Sequence, residues 1–235
     1  MTFNGLRISN NSLTAMKLIG IATMLIDHFN AFVNPHYNQT LFEIGRIALP
    51  LFALVLGYNL ARIPLNKIPK IMFRLLMFGI LATPIYIILS GGLQHWWPLN
   101  ILFTLSLATT IVYLLSLPAH NRWAVTARMT ALLLFAVVGS LVDYLWLGPA
   151  LVIVVWRLFS GISAVESTIL HVLLSGLCGL LCVMNDSLAT LLALPIIYLT
   201  IVACQNIRLP RMKWFFYWFY PGHLVALFLI RTAFY

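Results

Sequence analysis

Residues 13–33 read LTAMKLIGIATMLIDHFNAFV, a run in which only Lys17, Asp27 and His28 carry ionisable side chains. About 20 mostly apolar helical residues, rising 1.5 Å each, cross the hydrocarbon of a bilayer, so this run is long enough to span a membrane. The rest of the chain has the same character. Of its 235 residues 62% are hydrophobic and 8% are charged, with a mean hydropathy of +0.99, whereas a soluble domain is roughly a quarter charged. So few charges cannot cover a water-facing surface. Apolar side chains must face lipid as well as one another, and a soluble enzyme is excluded.

Apolar runs punctuated by Pro, Gly, Asn and basic residues predict an all-α, polytopic bundle of nine spans. They fall near 13–33, 41–61, 70–90, 98–117, 128–145, 147–160, 166–184, 187–204 and 214–233, the sixth short enough to be tilted or re-entrant. Asp27 and His28 inside the first run, with no small-residue cleavage site behind it, predict a retained span and not a signal peptide. No repeat and no long polar segment interrupts the pattern, so residues 1–235 are expected to form a single domain. Cys178, Cys182 and Cys204 lie within apolar runs at a spacing that suits neither a disulfide framework nor a metal site. They read as small core residues, and no metal is expected.

Lys and Arg outnumber Asp and Glu by 14 to 5, and their placement follows topology. Arg7 and Lys17, Arg62, Lys67, Lys70 and Arg74, Arg122 and Arg128, Arg157, then Arg208, Arg211 and Lys213 fall on one side of the nine spans, leaving Arg46 and Arg231. The positive-inside rule predicts a cytoplasmic amino terminus. The opposite turns carry His36, Tyr37, His95, Trp96, Trp97 and Trp146, amphipathic rings suited to a headgroup boundary. The basic charge is thus accounted for, and no nucleic-acid partner is expected.

An ionisable group at membrane depth costs about 2.5–3.5 kcal/mol on insertion scales, so each one must be paired, hydrated or used. Asp27, His28 and Arg46 are expected at similar depth. Adjacent helical residues diverge by about 100°, so Asp27 cannot orient the His28 ring, and Asp27 is expected to pair with Arg46 while His28 stays unpaired. The same residues equally suit a structural ion pair beside a core histidine. In GRIALPLFALVLGYNLAR (45–62), Pro50 sits one turn beyond Arg46 and predicts a kink that marks either a pocket wall or plain packing. Glu43 shares a face with Arg46 near the boundary. Asn100 suits the start of the fourth span, and Asp143 with Tyr144 suits the end of the fifth. Tyr220 and His223 flank Pro221 and Gly222 in the last span, while His171 reads as core. Arg62, Arg74, Arg157 and Lys213 at span ends are placed to hold either phosphates or anionic lipid. Walker, GxGxxG, HExxH and serine-elbow patterns are absent.

KLIGIATMLIDHFNAF (17–32), GRIALPLFALVLGY (45–58), NILFTLSL (100–107), VDYLWLGPALVIVVWRLF (142–159) and KWFFYWFYPGHLVALFLI (213–230) together resemble the TraX family of integral-membrane pilin acetylases. The most specific elements are Asp27-His28, the Arg-x-x-x-Pro at 46–50 and the Tyr-Pro-x-His at 220–223. One departure is DYLWLG at 143–148, where a more Gly-rich segment is expected. The resemblance implies an enzyme of the bacterial inner membrane that N-acetylates the amino terminus of a pilin subunit, with cytoplasmic acetyl-CoA as donor.

Such a transfer needs an ammonium proton removed, a thioester attacked, an oxyanion stabilised and a thiolate released. The resemblance makes His28 the candidate general base, with His223 as alternative. Arg46 or the Tyr220 hydroxyl would stabilise the oxyanion and Asp27 would hold Arg46. Arg62, Arg74, Arg157 and Lys213 would bind the donor's phosphates, and Asn100, Asp143 and Glu43 would meet the substrate. Two other readings stay open: an acyltransferase for a lipid or envelope-glycan hydroxyl, and a proton-coupled transporter using Asp27, His28 and His223.

Overall fold

The computed structural model describes residues 8–234 apart from 119, 121, 205, 206, 208 and 211, and apart from the side chain of Lys213. Arg7, Arg208 and Arg211, counted above among the cations, therefore lie outside the described residues. The described chain is helical: α1 (Asn10–Phe32), α2 (Gln39–Gly45), α3 (Ala48–Arg62), α4 (Ile68–Leu89), α5 (Ile101–Leu115), α6 (Ala124–Val138), α7 (Leu147–Leu158), α8 (Ala164–Met184), α9 (Ala193–Ala203) and α10 (Lys213–Phe234). No strand occurs among these residues beyond one bridge between Leu99 and Val142.

Four helical stretches, 10–32, 39–62, 65–89 and 164–184, are long and apolar enough to cross a membrane. Large apolar side chains point outward along the helices, including Val125, Leu132 and Leu133 of α6 and Val172 and Val183 of α8. A surface of that kind is tolerated in lipid and not in water. Other helices are shorter than the spans expected for them. With 15 residues in α5 and α6 and 12 in α7, they reach roughly 22 and 18 Å against a hydrocarbon core of about 30 Å.

Two differences from the expected spans have local causes. The second expected span divides into α2 and α3 at Arg46–Ile47. Pro50 has no N–H for the Arg46 carbonyl, so the chain breaks where a kink was expected, and Pro50 falls in the first turn of α3, where a missing donor costs little. The fifth span ends at Val138 and not near 145. Residues 139–146 form a loop pinned by hydrogen bonds from Leu99 N to the Leu141 carbonyl and from Asp143 N to the Leu99 carbonyl, each 2.8 Å. In this loop Tyr144 and Leu145 hold φ of +58° and +49°, the left-handed region that glycine enters without steric cost. The departure at 143–148 from a Gly-rich segment thus falls on backbone that favours glycine.

The chain groups into two compact units, residues 1–55 with 171–235 and residues 56–170. In the first, α1 is the hub, in contact with α2, α9 and α10. Asn30 closes the α1–α2 connection: its amide donates to the Asn38 carbonyl and its oxygen accepts from Asn38 N, both at 2.9 Å. Asn11 meets Leu209, Lys17 lies over the Phe216 ring and His28 meets His223. The numbers rise together, so α1 and α10 run parallel.

In the second unit α5 is the hub, against α4, α6 and α7. The Trp97 and Trp146 indoles donate to the carbonyls of Ser140 and Ala136, so these boundary aromatics are also tied to backbone. Asn100 is buried. Its oxygen caps α5 by accepting from Leu102 N at 3.1 Å, while its amide donates to the Gly79 carbonyl at 3.1 Å and to Thr83 Oγ1 at 3.3 Å. This is a helix cap that also ties α5 to α4. Asn100→Ala is therefore expected to lower stability by about 2 kcal/mol, combining a lost cap with a buried carbonyl short of a donor. Asn100→Asp, which keeps the cap oxygen but sets an unpaired carboxylate against the Gly79 carbonyl, should cost at least as much in detergent unfolding titrations.

Candidate active site

Asp27 and His28 occupy successive positions on α1, and the divergence of about 100° between them sends each to a different neighbour. Asp27 turns to α2, where Arg46 Nη2 donates to its Oδ2 at 2.5 Å. Gly45 permits this approach, since a Cβ there would overlap the Asp27 side chain. The guanidinium is held on further sides. Nε donates to the Phe42 carbonyl, Nη1 donates to Asn185 Oδ1 at 3.3 Å, and the Phe42 ring lies 4.1 Å from the guanidinium carbon. Side-chain exposure of 11% for Arg46 and 19% for Asp27 makes this a largely buried pair, so its geometry and its extra hydrogen bonds decide whether it stabilises.

His28 turns instead to α10. Its Nδ1 lies 2.7 Å from Nε2 of His223, with the ring planes 11° apart. The expectation that His28 stays unpaired is therefore corrected: a residue 195 positions away supplies its partner. His223 Nδ1 in turn lies 3.0 Å from the Phe219 carbonyl. Aromatic rings surround the pair. Phe32 packs against His28 at 5.3 Å, Phe219 lies parallel to His223 at 5.2 Å, and buried Tyr220 sets its ring edgewise to both histidines. Pro221 stays inside α10 without ending it, so Tyr220 and His223 share one side of that helix within one turn.

These five residues, Asp27, His28, Arg46, Tyr220 and His223, lie in the first unit as two neighbouring clusters. No hydrogen bond joins Asp27 to His28 among the described residues. Asn30 and Asn185 were missed in the sequence although each is a polar residue within or beside an apolar run. Asn185, which also donates to Thr190 Oγ1, lies between the expected seventh and eighth spans. No group of His, Cys, Asp and Glu suited to a metal occurs among the described residues.

The remaining candidates are dispersed. Glu43 accepts from Gln39 on the outside of α2. The Asp143 carbonyl accepts from Thr104 Oγ1 and its carboxylate accepts from Tyr144 N, so it shapes the α6–α7 loop. Among the cations, Arg157 is held by both oxygens of Glu166 at 2.5 and 3.0 Å. With exposures of 40% and 35%, that pair contributes about 0–1 kcal/mol. Arg62 is exposed over the Tyr58 ring, Arg74 is half-buried on α4, and Lys213 opens α10.

Because one buried charge without its partner is worse than none, Asp27→Ala is expected to lower stability by about 3–5 kcal/mol. Adding Arg46→Met should recover part of the loss, which unfolding of the single and double variants in mixed micelles would measure. A double variant no more stable than Asp27→Ala would contradict this account.

The family described as TraX protein matches residues 12–231. The chain is 32% identical over 219 residues to Protein TraX of Escherichia coli and 29% identical over 220 residues to Protein TraX of Escherichia coli strain K12. Each alignment covers 90% of this chain and 84% of the relative. No solved structure matches. The match takes in Asp27-His28, the Arg46 break and the aromatic surround of His223, and the chain belongs to the TraX family.

Proposed function

We propose that this chain is an inner-membrane acetyltransferase that moves acetyl from acetyl-CoA to the amino-terminal amine of a conjugative pilin subunit. The observation that carries the reading is the histidine pair: an imidazole on α1, 2.7 Å from a second imidazole on α10, inside an aromatic surround. Lone structural histidines settle with a backbone or carboxylate partner. An imidazole held by another imidazole keeps a proton-accepting nitrogen for chemistry.

In this reading His28 removes a proton from the pilin ammonium, and the free amine attacks the thioester carbon. The C–S bond then breaks, the proton carried by His28 passes to the departing thiolate and the attacking nitrogen releases its second proton to solvent, which leaves an amide, a thiol and one free proton and restores the base. Tyr220, edgewise to both histidines, is the candidate for the oxyanion. Arg46 is less suited to that task, because Asp27, Asn185 and the Phe42 carbonyl already engage it. We assign the donor's phosphates to the helix-end cations Arg62, Arg74, Arg157 and Lys213, as the resemblance implies. Arg157 would first have to release Glu166. The positive-inside pattern supports nine crossings with a cytoplasmic amino terminus, which puts these cations on the side that holds acetyl-CoA.

The test is the intact mass of pilin co-expressed with the protein. An acetyl increment is expected with the native chain and its loss with His28→Ala, while membrane insertion is unchanged. Full acetylation by His28→Ala would overturn the assignment of the base. Coenzyme A should separately stabilise the purified protein, by about 2.7 kcal/mol at a hundredfold excess over its dissociation constant. Arg62→Ala with Arg74→Ala should reduce that shift.

A further inference from the structure

The hydrogen-bond chain through the two histidines has a direction. The Phe219 carbonyl has only lone pairs, so the 3.0 Å contact with His223 Nδ1 requires the proton to be on Nδ1. In a neutral imidazole the other nitrogen is then an acceptor, so His223 Nε2 presents a lone pair to His28. The 2.7 Å contact must therefore be donated by His28 Nδ1–H. That leaves Nε2 of His28 as the nitrogen with a free lone pair. One backbone carbonyl on α10 thus sets the proton position on a ring of α1, two hydrogen bonds away.

We infer that His223 is a positioning residue that holds the His28 proton on Nδ1 and leaves His28 Nε2 as the proton-accepting atom. The functional half of this inference rests on the acetyltransferase reading; the proton assignment rests on the two contacts alone. In this assignment His223 acts behind His28, with its own Nε2 lone pair taken by the His28 Nδ1–H. When Nε2 of His28 gains the amine proton, the N–H bond of the ammonium breaks and a new N–H bond forms on the ring. The Nδ1 proton can then move along the existing hydrogen bond to His223 Nε2, so the positive charge is shared by two rings and faces the Phe219 carbonyl. Protonation of the thiolate by His28 Nε2–H, with the second amine proton released to solvent from the acylated nitrogen, returns both rings to their starting state. The arrangement follows the logic of an orienting group behind a catalytic histidine, with an imidazole and a carbonyl in place of a carboxylate.

Ring-nitrogen magnetic resonance on protein labelled with ¹⁵N in histidine tests the assignment without donor or pilin. His28 is expected to show a protonated Nδ1 and a bare Nε2, His223 the same, with a through-hydrogen-bond coupling between His28 Nδ1 and His223 Nε2. His223→Ala should move the His28 proton to Nε2 and lower kcat for pilin acetylation by at least about tenfold, within the roughly 10²–10⁴-fold range of a general base, with KM little changed. His223→Gln, whose amide can accept from His28 and donate to Phe219, should restore both the spectrum and part of kcat. A proton on His28 Nε2 in the native protein, or a His28 spectrum unmoved by His223→Ala, would overturn the inference. The expected spectrum together with unmodified pilin would keep the proton assignment and discard the acetyltransferase reading.

Discussion

A polar side chain in an apolar surrounding must find a partner, and α1 puts two of them side by side. Asp27 and His28 cannot share a partner because their side chains leave the helix about 100° apart. One is claimed by α2 through Arg46 and the other by α10 through His223. Desolvation makes each contact hard to give up, so two neighbours are drawn onto different sides of one helix. The packing of the first unit depends on that division.

The two sides do different work. On the Asp27 side the donors of Arg46 are distributed among a carboxylate, an amide and a backbone carbonyl, and the guanidinium face is covered by Phe42. The arrangement stabilises and positions. Pro50 contributes by breaking the helix at Arg46–Ile47, and Gly45 contributes by removing the side chain that would keep α2 away from Asp27. On the His28 side the partner is a neutral ring in an aromatic surround, where a proton can be gained without breaking a buried ion pair.

The second unit uses polar groups differently. Asn100 and Thr104 tie α5 to α4 and to the α6–α7 loop, and Glu166 holds Arg157. Asn100 caps α5 and Asp143 shapes the α6–α7 loop. The short helices α5, α6 and α7 need such ties because their ends leave carbonyls and amides to be satisfied within the protein.

Hydropathy was enough to point to an all-α membrane protein and to the approximate place of its long apolar helices, because burial in lipid acts on each residue locally. The partnership of Asp27 with Arg46 was also legible, since a short connection separates them and opposite charges at similar depth have few other partners. The contact between His28 and His223 was not legible, because 195 residues intervene and an imidazole carries no sign of charge that names its mate. The break at Arg46, the cap at Asn100 and the role of Asn185 were likewise decided by which helices came to lie together. Sequence determined which side chains could not remain alone in lipid, and tertiary structure decided which partner each one found, because hydrogen bonds act over about 3 Å in space and not along the chain.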